Sequence, residues 1–185
     1  MSRAYRITVK ESLSRHVQVE DGVCSSLELL PILEKERMGE LLAAELARRG
    51  FERDGQVAKR KEGGGVTTIV ALQTGEVSVT AEGHADLNLS TERTAAVEDP
   101  SPAGEQALRQ VAQQALEREV TAEEEALRRQ VTARLEGKLK DLKDELDGVV
   151  NRVTANALKQ RAAELGQVEE IHEEPNGGLT IKVRV

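Results

Sequence analysis

Between Pro102 and Leu165 the chain has no proline, and Gly104, Gly137 and Gly148 are its only glycines. A helix of that length would run about 95 Å at 1.5 Å per residue, far beyond an ordinary globular helix. Ser101-Pro102 starts it well, with a serine cap and proline at the first helical position. From Leu135 the apolar residues are Leu135, Leu139, Leu142, Leu146, Val149 and Val153. Alternating steps of four and three make a heptad seam of two columns, and Asn156 is the next member of the first. A polar residue on such a seam costs stability and can set register and partner number. A stripe this narrow must be covered by another copy, a different protein or the same chain folded back. No turn signal breaks the run, so a straight helix that self-associates through Leu135, Leu139, Leu142, Leu146, Val149, Val153 and Asn156 is expected.

The rest of the chain is built from thin layers. Aromatic residues are nearly absent, with Tyr5, Phe51 and no tryptophan among 185 residues, so a single thick core lacks its usual bulk. Tyr5, Ile7 and Val9 alternate with polar residues, as do Val17 and Val19, which predicts an N-terminal hairpin turning at Ser12–Arg15. Met38, Leu41, Leu42 and Leu46 share one helical stripe over 34–49, closed by Gly50 with Phe51 folding over the end. Residues 56–82 read as a meander, turning at Gly63-Gly64-Gly65 and Thr74-Gly75. The segment 90–101 has little apolar material and reads as a linker. After Gly166 come two short strands around Pro175-Asn176-Gly177-Gly178. Helix, glycine stop and hairpin thus occur twice, as a duplication or as ordinary helix–hairpin junctions.

The fold class expected is α+β: a small antiparallel sheet with one packed helix, a long coiled-coil-like helix and a C-terminal β-hairpin. The expected domains are a sheet domain at 1–89, a linker at 90–101, a helical segment at 102–166 and a hairpin at 167–185.

Charge narrows the function. The balance is 26 basic against 33 acidic residues, which disfavours a general nucleic-acid binder. Along 105–165 there are 12 acids and 11 bases, in blocks. Glu117, Glu119, Glu123, Glu124 and Glu125 precede Arg128, Arg129, Arg134, Lys138, Lys140 and Lys143. These blocks could pair antiparallel between copies, or be spent on pairs such as Glu124–Arg128 and Glu136–Lys140. The basic helical block 128–143, or Lys59–Lys61, carries the alternative reading of a nucleic-acid-binding module. Single-strand binding would lack its aromatic platform.

Little chemistry is marked. His16, His84 and His172 show no metal spacing in the sequence. The acids around His172 (Glu169, Glu170, Glu173 and Glu174) suit a charged edge strand as well as a cation site. Lys59–Lys61 followed by three glycines lacks the helix that a P-loop requires. Cys24 stands alone, and a partly buried inert thiol is expected, in a reducing cytoplasmic setting. No run is apolar enough to span a membrane. No catalytic residue, cofactor or metal site is assigned, and an enzyme is not expected.

Three stretches carry a resemblance: SRAYRITVKESLSRHVQVEDGV, LELLPILEKERMGELLAAELARRGFERDG and ALKQRAAELGQVEEIHEEPNGGLTIKVRV. Together, about half the chain, they resemble small bacterial accessory proteins encoded with AAA+ ATPases in FtsH or MoxR ternary systems. The resemblance transfers no catalytic residue. It implies a non-enzymatic partner of a AAA+ ATPase and of a von Willebrand A-type protein. The function expected is therefore a cytoplasmic scaffold or adaptor that self-associates and presents its sheet domains to a protein partner.

Overall fold

A computed structural model describes residues 5–97, 101–173 and 178–184. Its elements run β1 (Tyr5–Ser26), α1 (Lys35–Ala47), β2 (Glu52–Asp54), β3 (Val57–Glu62), β4 (Val66–Ala71), β5 (Glu76–Val97), α2 (Pro102–Leu165), β6 (Gln167–Glu173) and β7 (Leu179–Arg184). The first five strands form an antiparallel sheet in the order β1-β5-β4-β3-β2, and β6 pairs only with β7. The fold is α+β, with the long helix and the terminal hairpin where the sequence places them. The turn at 175–177 lies outside the described residues.

The chain divides into two compact units, one of residues 1–20 and 82–132 and one of residues 21–81 and 133–185. Neither follows the expected division into 1–89, 90–101, 102–166 and 167–185. The difference arises because β1 and β5 are each 22 residues long and contribute to both units. Ser12–Arg15 is extended strand, not a turn, since nothing there favours a positive φ. Residues 90–97 of the expected linker are also strand, and 98–100 lie outside the described residues. Their polar side chains have cross-strand partners instead of a core: Thr94 with Thr8 at 3.0 Å and Glu92 with Lys10 at 3.1 Å.

In the first unit the β1–β5 ribbon has one polar face and one apolar face. Thr8, Lys10, Ser12, Ser14 and His16 are exposed, while Val9, Val17 and Val19 are buried. Ala112, Leu116, Val120 and Val131 on α2 are buried as well. Two ion pairs tie helix to ribbon: Arg109 to Glu11 at 2.9 Å, and Arg15 forked on Glu117 at 3.0 and 3.1 Å. An isolated two-stranded ribbon is marginal in water, so helix cover is what makes it viable. Gly83 permits the approach, since a Cβ there would lie 2.6 Å from Val131 Cγ2 and 3.1 Å from Leu127 Cδ1. Gly83→Val is expected to destabilise this unit by about 2 kcal/mol through overpacking, read as earlier urea unfolding followed by circular dichroism.

In the second unit, strand register builds a single covered face. Ala58, Val70 and Val77 form one row, Arg60, Thr68 and Val79 the next, and Glu62, Val66 and Ala81 the third. Helix α1 packs over β2 and β3, burying Met38, Leu42 and Leu46. Leu142 and Leu146 of α2 line a groove with Val77 and Val79. A helix lying on a sheet follows its natural 3.6-residue period, so the buried stripe continues from Val149 and Val153 to Ala157. Asn156 is half-buried beside the fully buried Ala157.

Candidate functional site

Helix α1 ends where Gly50 takes φ 79°, a left-handed conformation natural to glycine. Phe51 N–H donates to the Leu46 carbonyl at 3.1 Å and Gly50 N–H to the Ala47 carbonyl at 3.1 Å, a Schellman closure. That closure buries Phe51 and leaves Arg48 and Arg49 at the carbonyl end of the helix, just beyond its last turn. One helical turn earlier, Glu45 is 2% exposed. Three guanidiniums meet its carboxylate: Arg49 at 2.9 Å, Arg48 at 3.2 Å and Arg152 of α2 at 3.5 Å.

Arg60 forms an adjoining centre. It lies 4.3 Å from the centre of the Phe51 ring, a cation–π contact. It donates in a fork to Glu145 at 2.7 and 2.8 Å, to Glu62 at 2.9 Å and to the Arg49 carbonyl at 3.0 Å. The Glu145 hydrogen bonds raise its already high pKa, and in return Arg60 holds the Glu145 carboxyl below the usual carboxylate range against the pull of burial. Arg49 adds to that effect through its charge. Lys138 lies 3.6 Å from Glu62. The result is one connected network in which five cations (Arg48, Arg49, Arg60, Lys138 and Arg152) serve three carboxylates (Glu45, Glu62 and Glu145).

Two smaller clusters flank α1. Arg37 bonds Glu164 and lies 3.2 Å from Gln160 Oε1, and Arg161 reaches Glu164 at 2.9 Å; the hydrogen bonds from Arg37 and then Arg161 lower the Glu164 pKa. Arg53 is forked on Glu40 at 2.9 Å on both arms, lowering Glu40 and raising Arg53.

The seam residues do not form a free ribbon. Leu135, Leu142, Leu146, Val149 and Val153 are buried within the chain, at 5% exposure or less, and Leu139 is half-buried. Leu139, Leu142 and Leu146 lie in a groove with Val77 and Val79 of the chain's own sheet, a cover that the seam alone could not distinguish from a second helix. The basic block is also engaged. Arg128 and Arg129 lie 3.7 and 3.8 Å from Glu124 and Glu125, and Arg134 donates to the Gly64 carbonyl at 2.6 Å.

His16 and His84 come together although nothing in their spacing shows it. Their rings stack at 6.3 Å, and His16 Nδ1 lies 2.7 Å from Asp86 Oδ1. The signal that could have found them is the register that also joins Ser14 to Asn88, two residues along each strand. Among the described residues, no group of three or more His, Cys, Asp or Glu side chains is gathered to hold a metal. Cys24 is exposed, not partly buried, with its Sγ 3.8 Å from Ser78 Oγ across the strands. Its strand position explains this, for it shares the uncovered sheet face with Ser78. No described helix is long and apolar enough to cross a membrane.

A family model, fvmX5, described as FtsH ternary system domain X5, matches residues 1–185. The chain belongs to this family. No curated protein and no solved structure matches it. Membership covers the whole chain, beyond the half that carried the resemblance. It makes the X5 chain an accessory domain of an FtsH-associated system, and a ternary system implies protein partners.

Proposed function

We propose that this X5 chain is a non-enzymatic adaptor that presents folded surfaces to a protein partner, the AAA+ ATPase of its system. The observation that carries the reading is the match of residues 1–185 to a domain family of the FtsH ternary system. The geometry supports it: the sheet units carry dense surface ion-pair networks, and the sequence offers no recognised catalytic motif. Self-association is not invoked through Leu135–Val153, because Leu135, Leu142, Leu146, Val149 and Val153 are already buried within one chain. The basic helical block gives little support to nucleic-acid binding, since Arg128 and Arg129 are each matched by a carboxylate of their own, Glu124 and Glu125, and phosphate binding needs unmatched positive charge.

The test is co-expression of the affinity-tagged full chain with the other components of its system. The ATPase is expected to co-elute with the chain, and its hydrolysis rate to change on adding purified chain, which alone hydrolyses no ATP. Elution of the chain free of the ATPase, with no change in rate at micromolar concentrations of both, would overturn the adaptor reading.

A further inference from the structure

The strongest uncommitted feature is the arginine group around Glu45. A carboxylate 2% exposed holds Arg49 and also Arg48 and Arg152, whose side chains are 70% and 65% exposed. One negative charge thus positions three guanidiniums, two of them at the surface. A guanidinium has five donors in a rigid fork, so one shared carboxylate leaves most of the donor capacity of Arg48 and Arg152 unspent. The network to which they belong carries five cations on three carboxylates, in a chain whose net charge is −7. A local positive excess against an acidic background marks a place where an acidic group gains and a basic one is rejected.

We propose that Arg48 and Arg152, oriented by the buried Glu45 carboxylate, form a docking site for an acidic segment of a partner protein. The inference deepens the adaptor reading by naming which surface engages and what chemistry it takes. Side chains already held in place lose less freedom on binding, and exposed arginines able to fork onto carboxylates are favoured anchors in protein interfaces. The Arg60–Glu145–Glu62 cluster beside them fixes the floor, because its forked bonds tie α2 to β3. An acidic peptide is favoured over a nucleic acid. A long polyphosphate would feel the repulsion of the whole acidic chain, and Phe51, the aromatic nearest the site, is buried and offers no face for a base.

The test uses the full chain and a fluorescein-labelled Glu/Asp-rich peptide of about 12 residues, followed by fluorescence anisotropy. Binding that weakens with salt is expected, and Arg48→Ala with Arg152→Ala should reduce affinity by about tenfold or more. Arg128→Ala with Arg129→Ala, which removes two equally exposed arginines elsewhere, should leave affinity unchanged. If the double alanine variant melts early, Arg48→Lys with Arg152→Lys keeps the charges and loses the forks, and an intermediate affinity is expected. No binding at about 100 µM chain, or equal binding by the double alanine variant, would overturn the proposal. So would a poly-U RNA that binds tighter than the peptide and is released by the same variant, which would make the site one for polyphosphate. Co-elution of the ATPase with both wild-type chain and double variant would sink this site while leaving the adaptor role standing. Failure of the wild-type chain to co-elute would remove the adaptor role, and the anisotropy measurement would then decide the site by itself.

Discussion

Replacing Leu142 and Leu146 together by lysine is expected to unfold the unit formed by residues 21–81 and 133–185. Both leucines are 5% exposed and share a groove with Val77 and Val79. Each substitution removes a buried aliphatic group, worth about 2–5 kcal/mol, and puts a charged ammonium into a site that Val77 and Val79 make largely apolar. The sum rivals the whole stability of an ordinary domain, about 5–15 kcal/mol. Circular dichroism should show the cooperative thermal transition lost or lowered by more than about 15 °C. Had the seam served only to join copies, the same variant would remain folded and light scattering would show a smaller particle. A folded protein of reduced molar mass therefore refutes the intramolecular packing of α2.

Arg60→Ala is expected to be the most damaging single substitution in the ion-pair network. It removes the fork on Glu145, the bond to Glu62, the bond to the Arg49 carbonyl and the cover over Phe51. Two carboxylates, 19% and 27% exposed, lose this partner. Breaking a partly buried pair from one side costs about 3 kcal/mol or more. The effect depends on pH. The Glu145 carboxyl is held below the usual carboxylate range, first by the hydrogen bonds from Arg60. A depressed carboxylate contributes stability that is present above the unfolded pKa and is lost as pH falls through the folded value. Urea unfolding at pH 7 and at pH 3 should therefore show a wide gap between wild type and variant at neutral pH and a narrower one in acid. An equal gap at both values would remove Glu145 from the account.

The elements that could be read from the sequence are those whose evidence lies within a few residues. The bounds of α2 follow from proline exclusion and from Ser101, whose hydroxyl accepts the Gly104 N–H at 3.3 Å as a cap should. Helix α1 follows from its stripe and from Gly50. Strands β3 and β4 follow from alternation around three glycines. Where the reading failed, the deciding partner was distant in sequence. Ser12–Arg15 and 90–97 looked like breaks because their residues are polar, yet each strand supplies the other's polar partners. The candidate site was hidden for the same reason: Arg60 and Glu145 are 85 residues apart, and Arg152 reaches Glu45 across a still longer interval.

By itself, the sequence determined that α2 is a single long helix with an apolar ribbon, because helix propensity, capping and period are local properties of neighbouring residues. It could not decide what covers that ribbon. A leucine stripe is equally well buried by a helix, a second copy or a sheet, since hydrophobic burial has no direction and no memory of its partner. That choice belonged to the tertiary structure, where strand register puts Val77 and Val79 opposite Leu142 and Leu146. It also decided that Glu45 should gather three arginines, two from the segment just after α1 and one from α2.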